Sequence, residues 1–325
     1  MGGGGGGGGR SIVARTTDYH TAGEPFRIVT EGGPDPAGRT MLEKRRWAIE
    51  NADRLRRLLV NEPRGHADMY GCFVTQPEDD GADLGVLFFH NAGFSTACGH
   101  GTIALVTWAL ESGRLPAAEG ENRVLVDAPS GRLETWARFS DGRVESVRFR
   151  NVPAFVLHRA LPVAGHVVDV AFGGAFYAIA PAAVRRDRLA ELIGEGRKVK
   201  AELNAAGSIV HPLEPDLSEV YGVIWTEGDR NLTVFADGEV DRSPCGSGTS
   251  ARLALLDLTG ELPRGQELRH RSILDTVFAG RVVGDGEVAG IPAVVTEVEG
   301  SAHMTGRHEF TLDVDDPLGT GFLLR

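Results

Sequence analysis

Residues 95–110 read STACGHGTIALVTWAL, and residues 241–256 read DRSPCGSGTSARLALL. Both contain Cys-Gly-x-Gly-Thr-x-Ala, led by Cys98 and by Cys245, and both run straight into an apolar pattern of helical spacing. A phenylalanine stands ten residues ahead of each cysteine, Phe88 and Phe235. One element written twice, nearly half a chain apart, predicts two similar halves that face each other, each contributing a thiol. A cysteine just before a helix sits at the positive end of the helix dipole, which favours thiolate. The glycines at 99, 101, 246 and 248 let backbone N–H groups approach a ligand, and free N–H groups at a helix start bind anions such as a carboxylate. Two such elements would hold one small acid between two thiols. One thiolate would take the Cα proton while the other thiol delivers a proton to the opposite face.

Outward from the two copies, the same order recurs. DRLRRLL at residue 53 is echoed by DRLAELI at 187, EPRGHADMYGCFV at 62 by EPDLSEVYGVIW at 214, and VLFFHNAGFSTACGHGT by NLTVFADGEVDRSPCGSGT. Residues 41–60 carry helical apolar spacing at Trp47, Ile49, Leu55, Leu58 and Leu59. Pro63 and Gly65 break that helix, and a strand follows from Tyr70. Gly173 and Gly174 lie in a strand where backbone can approach a ligand closely. Strands are predicted near 272–283, 292–299 and 301–313, and the closing DPLGTGFLLR reads as a last strand returning to the first half. Residues 1–10, almost all glycine, read as a disordered tail outside the fold. The domain reading is therefore 11–150 with about 314–325 for the half carrying Cys98, and 151–313 for the half carrying Cys245.

The bulk properties narrow the function classes. A chain of 325 residues is long enough for two cores. A net charge of −11 argues against nucleic acid or an anionic membrane surface as partner. No apolar run approaches membrane-spanning length, and the start lacks the apolar core of a signal peptide. Three cysteines do not make a disulfide framework and fit a reducing, cytoplasmic setting. The three lysines, Lys44, Lys198 and Lys200, lie outside any glycine-rich motif, and no GxGxxG follows a strand pattern. Pyridoxal phosphate and dinucleotide cofactors are not indicated. Cys72, in apolar MYGCFVT and without a twin, reads as core. Cys98, His100 and Cys245 could instead be metal ligands, but zinc sites show tighter clusters. His20, Thr21 and Glu24 share a polar loop, as do Arg64, His66 and Asp68. Each loop is either functional or a structural turn.

HTAGEPFRIV, EPRGHADMYG, CGHGT, NVPAFV, GGAFYAI, DRSPCGSGTSA and the closing GFLLR together resemble the proline racemase family, from about residue 12 to 325. That family includes proline racemases, 4-hydroxyproline 2-epimerases and trans-3-hydroxy-L-proline dehydratases. The resemblance implies an α/β (α+β), diaminopimelate-epimerase-like fold: two pseudosymmetric domains, each a sheet wrapped around a central helix, with the site between them. It implies no cofactor, no metal, a monomer or homodimer, and a small imino acid as partner. Carried over residue by residue, Cys98 and Cys245 match the catalytic pair. His100 and Asp241 match residues that bind the amine or tune the thiols, and Tyr70 and Phe235 match aromatics shielding the ring. The amides of Gly99, His100, Gly246 and Ser247 match the carboxylate cradle. Position 245 separates the subgroups, because the dehydratases usually have Thr there. Cys245 points to a racemase or 2-epimerase of proline or 4-hydroxyproline. LFFHNAGFST, GGAFYAI and VFADGEVDRSP look closer to the dehydratases, which keeps trans-3-hydroxy-L-proline dehydration as the alternative. A non-catalytic imino-acid binder is a third reading, at odds with two retained cysteines. His90 and Ser95 are polar groups near the first motif, with turn-capping as the alternative to ring recognition.

Overall fold

Helices that are apolar on every side must be buried on every side, and that requirement organises the molecule. The structure, a computed structural model, describes residues 11–324; the glycine-rich segment 1–10 lies outside the described residues. The α-helices among them are α1 (Met41–Asn51), α2 (Asp53–Val60), α3 (Gly99–Glu111), α4 (Leu189–Ala206) and α5 (Gly246–Thr259). In α3 every residue from Gly99 to Leu110 is buried, and in α5 every residue from Gly246 to Leu255. Each runs through a cage of strands.

The two cages repeat one ladder. In the first half, Ala302–Leu312 pairs antiparallel with Ser11–Thr21, which pairs antiparallel with Glu24–Glu31. A parallel pairing to Tyr70–Thr75 follows, then an antiparallel one to Leu84–His90 and a parallel one to Gly120–Ala128. Antiparallel pairings to Gly131–Ser140 and Arg143–Arg150 complete the run. In the second half, Ala154–Val163, His166–Phe172, Phe176–Pro181, Val220–Glu227, Arg230–Phe235, Leu268–Arg271, Val277–Val288 and Ile291–Gly300 repeat that order of orientations. A parallel pair needs a crossover connection. One crossover in each half is external, made by α1 and α2 or by α4. The other is the central helix, threaded through the cage it helps to build.

The strand Ile291–Gly300 belongs to both cages, pairing with Ala154–Val163 of the second and with Arg143–Arg150 of the first. It continues almost directly into Ala302–Leu312, whose pairing with Ser11–Thr21 closes the first cage. The return to the first half thus begins near residue 302, earlier than the expected 314–325. Among its described residues that closing segment forms no strand, only a bridge between Glu62 and Phe322. The single helix expected over 41–60 is two, divided at Ala52. Ile49, read as part of its apolar face, is 45 % exposed, while Ala48 and the stem of Lys44 are buried. Lys44 reaches across to donate to the carbonyls of Gln76 and Pro77.

Candidate active site

The Cys-Gly-x-Gly spacing is explained by contacts at the two helix starts. A Cβ on Gly99 would stand 2.5 Å from Gly246 Cα, and one on Gly246 would stand 2.7 Å from Gly99 Cα. α3 and α5 therefore meet head to head at bare backbone. The second glycine makes room for the sulfur: a Cβ on Gly101 would lie 2.7 Å from Cys98 Sγ, and one on Gly248 would lie 2.9 Å from Cys245 Sγ. The thiols fold back over their own helix starts on either side of this contact.

The two cysteines are not equivalent. Cys98 has extended backbone (φ −156°) and its Sγ accepts from the Gly101 amide at 3.2 Å, capping α3. Cys245 has φ +66°, in the left-handed region that costs a residue with a Cβ on the order of 1–3 kcal/mol. Its amide donates to Ser243 Oγ at 3.1 Å. His100 stands beside Cys98, with ring nitrogens 3.5 Å from Sγ. The Tyr177 hydroxyl stands beside Cys245, accepting from Sγ at 3.7 Å.

Both cysteines line one cavity of about 20 Å³, together with Tyr70, Gly99, His100, Phe235, Asp241, Gly246 and Ser247. All nine residues that the family resemblance matches to the site meet there. The cavity is nearly shut, and Cys98 and Cys245 are only 5 % and 6 % exposed. Burial accordingly dominates the electrostatics. It pushes the Cys98 thiol well up, against the opposing Gly101 N–H, and the Cys245 thiol up to about 12. The lowered thiol pKa expected from the helix dipole is therefore reversed at these buried sulfurs: a helix start stabilises charge by a fraction of the desolvation it must offset. Burial also lowers His100 to about 3, so its ring is neutral, and raises Asp241 to about 6. Asp241 accepts from the Ser243 amide at 2.8 Å, and the Ser243 hydroxyl and Cys245 thiol also oppose the rise.

Other residues of the cavity were not singled out in the sequence: Ala97, Tyr177, Tyr221 and Thr233. Tyr221 had a signal, since Tyr221-Gly222 echoes Tyr70-Gly71, and the two tyrosine hydroxyls bond across the halves at 3.1 Å. Ser95 bonds the Tyr70 hydroxyl on the other side. Tyr177 had its signal in the glycine pair before it. Gly173 and Gly174 lie not in a strand, as expected, but in the bend between His166–Phe172 and Phe176–Pro181, and a Cβ on Gly173 would meet Ser247 O at 2.3 Å, so this bend is pressed against the start of α5.

The two polar loops hold the site from behind. Thr21 Oγ1 donates to the His100 carbonyl at 2.9 Å, and fully buried Glu24 accepts from the Arg242 amide at 2.7 Å. The His20 ring packs at a tilt against that of His303, and Arg64 donates to the carbonyls of Thr311 and Gly319; neither lines the cavity. His90 pairs with Glu239 across the halves at 3.2 Å while its ring packs against Tyr70 and Phe235. Cys72 is core, fully buried.

The family model for proline racemase matches residues 16–323. A protein from Azospirillum brasilense named trans-3-hydroxy-L-proline dehydratase is 46 % identical over 327 residues, covering 95 % of this chain and 98 % of that one. One from Burkholderia multivorans named 3-hydroxyproline 2-epimerase is likewise 46 % identical, with the same coverage. A crystal structure of a hydroxyproline epimerase from Agrobacterium vitis, with trans-4-hydroxy-L-proline bound, superposes with a TM-score of 0.89 at 31 % identity, covering 96 % of this chain and 95 % of that one. The expected sheet-dominated α+β fold is the fold found.

Proposed function

Because the chain belongs to the proline racemase family, we propose that it is a cofactor-independent enzyme inverting Cα of a proline-ring amino acid between Cys98 and Cys245. The observation that carries this reading is the pair of thiols lining one small closed cavity from two helix starts. The amides of Gly99, His100, Gly246 and Ser247 bind the carboxylate. One sulfur removes the Cα proton as thiolate and the other, as thiol, protonates the opposite face. The relatives turn the substrate class toward hydroxyproline, with 3-hydroxyproline ahead of the proline or 4-hydroxyproline first expected.

The raised thiols fit a substrate-assisted order of events. Burial raises both thiols, which disfavours the thiolate. An incoming ring ammonium, attracted by Asp241, supplies the positive charge that makes a thiolate affordable in a dry site. Neutral His100 beside Cys98 can share a hydrogen bond with that sulfur in either of its protonation states.

A second reading has a specific observation behind it, the relatives named trans-3-hydroxy-L-proline dehydratase. Inversion and dehydration share the first step. After the Cα–H bond breaks, the electron pair either takes a proton on the opposite face or expels hydroxide from C3. Proton NMR in D2O with reductant, run separately on L-proline, trans-4-hydroxy-L-proline and trans-3-hydroxy-L-proline, separates them. Loss of the Cα–H signal with appearance of the inverted isomer is the expected result. Consumption of the 3-hydroxy compound alone, to an imine, replaces inversion by dehydration. No change with any of the three overturns both.

A further inference from the structure

The surroundings of Cys245 divide into two kinds. Asp241, a carboxyl, lines the cavity on the segment leading to it. A pair of neutral hydroxyls lines it too: Tyr177 OH lies 3.7 Å from Cys245 Sγ and 2.7 Å from Ser247 Oγ, and Ser247 Oγ lies 3.9 Å from the same sulfur. Both hydroxyl residues are buried. Cys98 has an imidazole and a backbone amide in the corresponding role, and no hydroxyl partner among the described residues.

A proline-ring substrate presents three groups on Cα besides the proton: the carboxylate, the ring nitrogen and C3. The helix starts take the carboxylate by charge. The ammonium takes Asp241 by charge. C3 and anything on it are left with a neutral partner, and the hydroxyl pair at Cys245 is neutral, able both to donate and to accept. Tyr70 and Tyr221 are less suited. Their hydroxyls are bonded to each other, and that of Tyr70 also to Ser95, in a chain that joins the halves. Tyr177 is the cavity tyrosine whose hydroxyl faces a reacting sulfur. Its position is fixed twice over, by the glycine contact that presses Gly173 onto α5 and by the bond to Ser247.

Resting on the reading above, we propose that Tyr177, oriented by Ser247, binds a hydroxyl on ring carbon 3 and is the specificity-determining residue for 3-hydroxylated substrates. A site built to hydrogen-bond a substrate hydroxyl penalises its absence, because its own polar group is then left unpaired.

The test compares wild type, Tyr177→Phe, Ser247→Ala and Tyr221→Phe. The readouts are kcat/KM with trans-3-hydroxy-L-proline and Kd for pyrrole-2-carboxylate, a planar ring acid without a hydroxyl. Tyr177→Phe is expected to lower kcat/KM roughly 30-fold while shifting the Kd less than about threefold. Ser247→Ala is expected to lower kcat/KM in the same direction by roughly threefold to tenfold, and it carries the test if Tyr177→Phe does not fold. Equal losses in both readouts for Tyr177→Phe, no loss in either, or a hydroxyl-selective loss in Tyr221→Phe instead, each overturn the assignment. Wild type that binds pyrrole-2-carboxylate but leaves trans-3-hydroxy-L-proline unchanged overturns it while the two-thiol reading stands. Wild type that does neither overturns both.

Discussion

At the scale of single residues, Asp241 sets chemistry against stability. Its carboxyl is raised from 3.8 to about 6, first by burial. Between those values the native state holds a proton that the unfolded chain has lost, so stability falls as pH rises through that window. Above it the buried, ionised carboxylate destabilises the protein by on the order of 3 kcal/mol. Asp241→Asn, which keeps an acceptor for the Ser243 amide, is expected to melt higher than wild type at pH 8, with the gap closing by pH 4, and to lose most activity. Thermal melts at the two pH values check this; a gap of equal size at both would remove ionisation as its cause. The cysteines make a second residue-scale prediction. Cys98→Ser and Cys245→Ser should each slow inversion by roughly 10²–10⁴-fold, read by NMR, and near-normal inversion in either would end the two-thiol mechanism. These residues were legible because the motif is written twice. Thr233 was not, because a strand residue's direction into a cavity depends on register, which no local pattern states.

At the scale of elements, glycine carries two opposite meanings. At Gly99 and Gly246 an added Cβ meets backbone of the opposing helix at 2.5 Å and 2.7 Å. Backbone cannot rotate away, so alanine at either position forces the helix starts apart and the thiols with them. The expected result is a loss of about 1–3 kcal/mol, the usual cost of overpacking, with a fall in activity larger than the loss of folded protein explains. Gly194, in the middle of α4, meets nothing within 4 Å. Gly194→Ala should stabilise by about 0.5–1 kcal/mol, by restricting the unfolded chain, and leave activity unchanged. Urea denaturation of the three variants decides both claims; a stable Gly99→Ala protein would mean the helix starts are not in contact. The sequence reading found α3 and α5 because their apolar residues run all round and begin at a marked residue. It joined α1 to α2 because Trp47, Ile49 and Leu55 fit one helical stripe, whereas the helix packs through Ala48 and the stem of Lys44. A small residue and a charged one are weak signals of burial.

At the scale of the whole molecule, the halves are tied by the shared strand Ile291–Gly300 and by polar bonds around the cavity. The pairing of Ser11 with Leu312 closes the first cage over nearly the full chain length. Long-range pairing of this kind was only partly readable: the strand was expected, its partner was not. Around the cavity Thr96 Oγ1 donates to Gly174 O at 3.1 Å, and Glu239 receives the Ala92 amide at 3.0 Å beside His90. With both sulfurs almost fully covered, a substrate or reagent is expected to reach them when the halves part. Parting breaks these bonds, each worth about 1 kcal/mol net, and returns the thiols to water, where their pKa values fall back toward the ordinary range. Alkylation should therefore report opening rather than static exposure. Removing both ties, as Thr96→Val with Glu239→Leu, which leaves the Ala92 amide no acceptor at that side chain, should raise the rate of iodoacetamide labelling of Cys98 and Cys245 by about tenfold or more. Cys72 lies inside one cage rather than between the two, so its rate should not move. Peptide mass spectrometry distinguishes the three sites. Faster labelling of all three would indicate general loosening, and unchanged labelling of Cys98 and Cys245 would mean that the route to the thiols opens elsewhere than along this seam.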